Sequence, residues 1–203
     1  MRTVVISGRI GSGKSTLCRQ LSEMGVPVYD SDSMAKSLYE RSSSLRERVV
    51  EVFGPSILDE HGKIDRKALA KIVFADKERL KALEGMVHPA VFEDFAAWSE
   101  QRTEESFVIF ESAIFLDVQS PEPFADEIVW VDAPLELAAL RASLRDSSTL
   151  QAVQERMAAQ KDHKDDPRVT YIVENNGTPE RLNREADKLY EYLKQKYDEN
   201  RSR

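Results

Sequence analysis

At 203 residues the chain is long enough to bury a core and short enough for one domain, with room for an insertion. Its 41% hydrophobic and 32% charged residues suit a globular protein. A net charge of −7 argues against general nucleic-acid binding, the single cysteine excludes an internal disulfide, and no Cys/His cluster has zinc spacing. No apolar run approaches the roughly 20 residues that cross a bilayer, and a strand stands where a cleavable leader would carry its apolar region. The expected setting is therefore the cytoplasm, without membrane or nucleic-acid partners, for a monomer or weak homo-oligomer.

In chain order, Thr3–Ser7 reads as a short buried parallel strand, rich in β-branched residues. The next segment is Gly8-Arg9-Ile10-Gly11-Ser12-Gly13-Lys14-Ser15, with the spacing G-x-x-x-x-G-K-[ST] of a phosphate-binding P-loop. Glycines let the backbone wrap a polyphosphate and aim its N–H groups inward. Lys14 supplies a charge for the β- and γ-phosphates, and the Ser15 hydroxyl is placed for Mg²⁺. A helix over Lys14–Met24 then turns its positive end toward the anion. Within that helix Cys18 is expected on the buried face. The motif implies ATP or GTP as ligand.

A second strand, Pro27–Tyr29, leads into Asp30-Ser31-Asp32. Ligands of parallel sheets bind beyond the carboxyl ends of strands. One of these carboxylates suits Mg²⁺ or its waters and the other a substrate hydroxyl, although Asp and Ser are also good helix caps for the run from Ser33. More than seventy residues without a convincing strand follow. Helical patterns occupy Leu45–Phe53, Asp65–Phe74 and a long stretch from Lys77 toward Gln101, with a turn at Asp59–Gly62. This interval predicts a helical insertion.

Strands resume at Phe107–Phe110, Ile128–Val131 and Val169–Val173, so strands alternate with helices as in a parallel sheet covered on both faces. The acidic end at Asp132 imitates a Walker B strand, but Pro134 opens a helix beside it and Asp132 ranks below Asp30 as a metal partner. Arg141 and Arg145, four residues apart, share a helix face from which two guanidinium groups can reach one phosphoryl site. Neighbouring Glu136 and Asp146 offer them a plain surface pairing instead. His61 and His163 read as surface-loop residues. The tail over 198–203 is expected to fray.

Together these residues resemble the dephospho-coenzyme A kinase family of P-loop kinases, within the nucleoside monophosphate kinase-like group. The family loop GGIGSGKS is met by Gly8–Ser15, and its D-A-D after the second strand by Asp30-Ser31-Asp32. Its insert pattern is met by Gly62-Lys63-Ile64-Asp65-Arg66, Leu69, Ile72-Val73-Phe74, Leu83 and His88-Pro89. Arg141-x-x-x-Arg145-Asp146, Arg156-x-x-x-Gln160 and Asn175-Asn176-Gly177 are further landmarks.

The resemblance implies an α/β fold of the P-loop NTPase three-layer type, with a five-stranded parallel sheet, an inserted helical substrate subdomain and a lid. The core would span about 1–40 and 103–203, an acceptor-binding insert about 41–102 and the lid about 141–165. It implies ATP and dephospho-CoA as substrates, Mg²⁺ as cofactor and transfer to the ribose 3′-hydroxyl. Asp32, Lys14 and Arg141 are then the catalytic residues. ATP would be held by Gly8, Arg9, Ile10, Gly11, Ser12, Gly13, Lys14, Ser15, Thr16, Arg141 and Arg145. Asp32, Lys36 and His88 would bind the acceptor, and Ser15 and Asp30 the metal.

Three positions depart from the family pattern. Arg9 replaces a glycine and would carry roughly 1–2 kcal/mol of strain if φ were positive there. Lys36 stands for a common arginine, and Asp117 for a glutamate. The competing readings are another small-molecule or nucleotide kinase, and a decayed ATP-binding regulator. A GTPase switch lacks its N-K-x-D.

Overall fold

A computed structural model describes residues 1–121 and 123–198; of the tail expected to fray, all but Asp198 lies outside them. The elements run β1 (Arg2–Ser7), α1 (Lys14–Glu23), β2 (Val28–Asp30), α2 (Ser31–Arg41), α3 (Ser43–Phe53), α4 (Arg66–Phe74) and α5 (Lys77–Glu100). They continue with β3 (Phe107–Glu111), β4 (Glu127–Asp132), α6 (Leu135–Asp146), α7 (Leu150–Ala158), β5 (Tyr171–Glu174) and α8 (Pro179–Asp198). Two compact units emerge, one of Met1–Asp30 with the chain from Arg102 onward, the other Ser31–Gln101.

In the first unit the five strands form one sheet in the order β2-β3-β1-β4-β5, every pair parallel. The apolar β1 lies at its centre, with Val4, Val5 and Ile6 fully buried, because both faces of a parallel sheet must be covered. Leu17, Cys18 and Leu21 of α1 and Leu182, Ala186, Leu189 and Leu193 of α8 supply one such cover. The four α8 positions recur at three- and four-residue steps, the stripe of an amphipathic helix. Cys18 is buried as expected, and burial pushes its thiol well up.

At the sheet edge opposite the P-loop, Glu127 begins β4 only 1% exposed. Tyr192 and Tyr197 of α8 donate to its carboxylate at 2.9 and 3.1 Å, and the Lys196 ammonium pairs with it. Burial pushes this carboxyl up, but hydrogen bonds from Lys196, Thr170, Tyr192 and Tyr197 outweigh it and hold the group below the ordinary glutamate range.

The second unit is helical, with one isolated antiparallel bridge, Leu58 to Ile64, among its described residues. Three of its helices start where a side chain satisfies their first amides. Ser42 caps α3, Asp65 caps α4 and Asp76 caps α5. The Asp59–Gly62 turn is built on the Asp59 carboxylate, which accepts from the His61 and Lys63 amides, both at 2.9 Å. α5 runs through Pro89, which has no N–H for the carbonyl of Gly85. Just before it, His88 is half-buried, and burial pulls its pKa down while Glu84 one turn earlier opposes.

Candidate active site

Gly13 takes a left-handed conformation (φ 99°) and no side chain caps α1, nor does its first turn carry an acidic residue. With no side-chain cap, this end of α1 suits an anion, which the helix dipole favours there. Gly11 is also left-handed (φ 74°), and a Cβ on it would run into the backbone carbonyl of Ala138 on α6. Gly11→Ala combines that collision with a positive φ worth roughly 1–2 kcal/mol. We expect it to weaken nucleotide binding by roughly 5- to 30-fold or more, as read by calorimetry with ADP.

Lys14 reaches back to the Arg9 carbonyl at 3.3 Å. Ser15, the residue expected at Mg²⁺, donates its hydroxyl to Glu111 at 2.6 Å. Glu111 closes β3 and is 8% exposed. Burial pushes its carboxyl up; the Ser15 hydrogen bond opposes this, the Asp30 charge adds to it and Lys14 opposes it. The β2–β3 register sets Asp30 directly beside Glu111. One hydroxyl and two carboxylates are hard oxygen donors and suit Mg²⁺, which would take its remaining ligands from phosphate and water. Among the described residues no cluster of three or more His, Cys, Asp or Glu is arranged for a metal.

Arg9 is not at positive φ, so the strain expected for a loop needing glycine there is absent. Its guanidinium instead pairs with Asp162 at 2.8 Å. The segment carrying Asp162 grips three elements. Gln160 accepts the Ile10 amide at 2.8 Å, Lys164 pairs with Asp132 at 2.6 Å, and Arg168 donates to the Leu116 carbonyl at 3.0 Å. His163 is no surface-loop residue, because its ring lies edge-on to Trp130 and 3.0 Å from the Asp117 carboxylate. Asp132, the Walker B imitation, is thus engaged by a lysine. Arg9, Asp132, Asp162, Lys164, Glu174 and Asn176 line a cavity of about 420 Å³ with charges of both signs.

Arg141 and Arg145 do not converge. Arg141 donates from Nη1 to the Asn175 carbonyl at 3.0 Å and from Nη2 to the Gly177 carbonyl at 2.8 Å. Arg145 turns to the adjacent Asp146 at 2.7 Å, which Arg156 also meets at 3.1 Å, and the two arginines hold that carboxyl at a pKa of about 2. Thr16 lies in the first turn of α1. In the second unit Asp32 occupies the first turn of α2, one residue before the run expected from Ser33, with Lys36 one turn on and both exposed. Glu111, Asn175 and Gln160 are site residues that motif reading left unassigned, although Glu111 and Asn175 both sit at strand ends.

A glycine loop over uncapped helical amides, with a lysine and a Ser–Glu pair at the carboxyl edge of a 2-3-1-4-5 parallel sheet, defines a P-loop kinase. A model of the dephospho-CoA kinase family matches residues 2–180. The chain belongs to the dephospho-CoA kinase family. It is 32% identical over 194 residues to the dephospho-CoA kinase of Aquifex aeolicus, covering 95% of this chain and 98% of that one. Among solved structures it is similar to TT1252 from Thermus thermophilus, at 33% identity and a TM-score of 0.77 over 95% of this chain and 97% of the other. The dephospho-CoA kinase from Campylobacter jejuni aligns at 25% identity and a TM-score of 0.70, covering 98% and 100%.

Proposed function

We propose that the chain transfers the γ-phosphoryl group of ATP to the ribose 3′-hydroxyl of dephospho-CoA, giving ADP and CoA, the last step of coenzyme A synthesis. The observation that carries this reading is the uncapped P-loop helix with its Ser15–Glu111 pair, in a chain that matches the family over residues 2–180. The loop from Gly8 to Thr16 would hold the triphosphate, with Lys14 on the β- and γ-oxygens. Arg141 would lie along the nucleotide, spending two of its five guanidinium donors on the loop after β5. Arg145, committed to Asp146, would contribute through the field it adds. Asp32 would orient the acceptor hydroxyl and take its proton as the new P–O bond forms and the β–γ bond breaks. Lys36 and His88 would bind the acceptor. Bound Mg²⁺ neutralises charge on the phosphates; Ser15 and Asp30 would hold it, with Glu111 accepting from the Ser15 hydroxyl.

Two measurements test this reading. Coupled ADP release with Mg·ATP is compared for dephospho-CoA, nucleoside monophosphates and no acceptor. Turnover with dephospho-CoA alone is expected, and turnover only with another acceptor would overturn the assignment. Glu111→Gln keeps the shape but loses the charge that orients Ser15. It is expected to raise the half-saturating Mg²⁺ concentration roughly 10- to 100-fold, as losing the charged partner of a metal-holding hydroxyl does. An unchanged Mg²⁺ titration would remove Glu111 from the metal site.

A further inference from the structure

We infer that Asn175 is a positioning residue that fixes the Ser12–Gly13 peptide of the P-loop and ties it to Arg141. Its side chain is 4% exposed, and Nδ2 donates to the Ser12 carbonyl at 2.7 Å. That carbonyl can only accept, which settles which end of the amide faces it. The Asn175 amide donates to the Asp132 carbonyl at 2.7 Å, anchoring the residue to the end of β4, and its own carbonyl accepts Arg141. A Cβ on Gly13 would run into the Asn175 amide, so P-loop backbone and asparagine are in direct contact.

The consequence follows from peptide geometry. In a trans peptide the C=O and N–H point in opposite directions. Holding the Ser12 oxygen against Asn175 therefore turns the Gly13 N–H away from it, toward the side where the loop receives phosphate. Gly13 is left-handed and, as a glycine, free to rotate, so this is the peptide most in need of a pin. The Arg141 guanidinium is set by the same residue's carbonyl. A nucleotide thus meets a P-loop amide set by a side chain 163 residues away in sequence from Ser12, and an arginine held by the backbone carbonyl of that same residue.

This inference rests on the nucleotide-binding half of the proposed reaction, so it is read on ADP binding without any acceptor; a wrong acceptor assignment would leave that readout intact. Asn175→Asp removes the donor and sets a carboxylate against a carbonyl. Asn175→Ala only removes atoms and is the milder variant where the first fails to fold. Each is expected to weaken ADP binding roughly 10- to 100-fold, the worth of one hydrogen bond to a charged group. The KM for dephospho-CoA should hold, and the effect combined with Arg141→Ala should be less than multiplicative. In ¹⁵N spectra the Gly13 amide should shift on ADP addition in the wild type and not in the variants. Folded variants with wild-type ADP affinity and a normal Gly13 shift would overturn the inference. So would losses that track only the folded fraction and multiply with Arg141→Ala.

Discussion

Asp32→Asn is expected to lower kcat by roughly 10²–10⁴ while the KM for ATP stays within about twofold, measured by coupled ADP release at saturating dephospho-CoA. Asparagine keeps the size and a hydrogen-bonding oxygen but cannot take a proton, so ground-state binding is spared and the transition state is not. Asp32 stands two residues past the last residue of β2 and in the first turn of α2. A variant with normal kcat would remove Asp32 from the chemistry, and a pure rise in the KM for dephospho-CoA would reduce it to acceptor binding.

Lys196→Met should destabilise the protein by about 3–5 kcal/mol near neutral pH, because it strands the buried Glu127 carboxylate with only neutral donors. The sign with pH is fixed by linkage. Glu127 is held below its unfolded value of about 4.3, so the wild-type pair contributes above that pH and its contribution is lost as pH falls through the depressed folded value. In the variant the unpaired, buried carboxyl moves upward instead, and stability drops as pH rises through it. Urea melts of the two proteins should therefore diverge from about pH 4 upward and converge in acid. A difference independent of pH would mean that Lys196 acts by packing its stem alone.

The P-loop and the central strand were legible because backbone constraints act locally. Glycine at fixed spacing and Val4-Val5-Ile6 require no knowledge of distant partners. The turn at Asp59–Gly62 belongs to the same class. Glu111 was not assigned because its role depends on the parallel register that sets β3 beside β1 and β2, which brings it to Ser15 and Asp30. Asn175 and Gln160 are placed by still longer closures, onto Ser12 and Ile10. The arginine pair shows a different limit. Helical spacing puts Arg141 and Arg145 on one face, but a carboxylate next in sequence captures Arg145, while backbone carbonyls past β5 capture Arg141. Arg9 and His163 were read without their partners, Asp162 and Asp117, which arrive from other elements.

The two ends of β4 have separate duties. Asp132 closes the strand beside the phosphate loop, whereas Glu127 opens it in a knot with α8 at the other end. The contacts that hold α8 and those that line the side of the P-loop therefore belong to opposite ends of a single strand. Changes among α8 and its tyrosines reach the fold through the end of the strand that lies away from the phosphate loop.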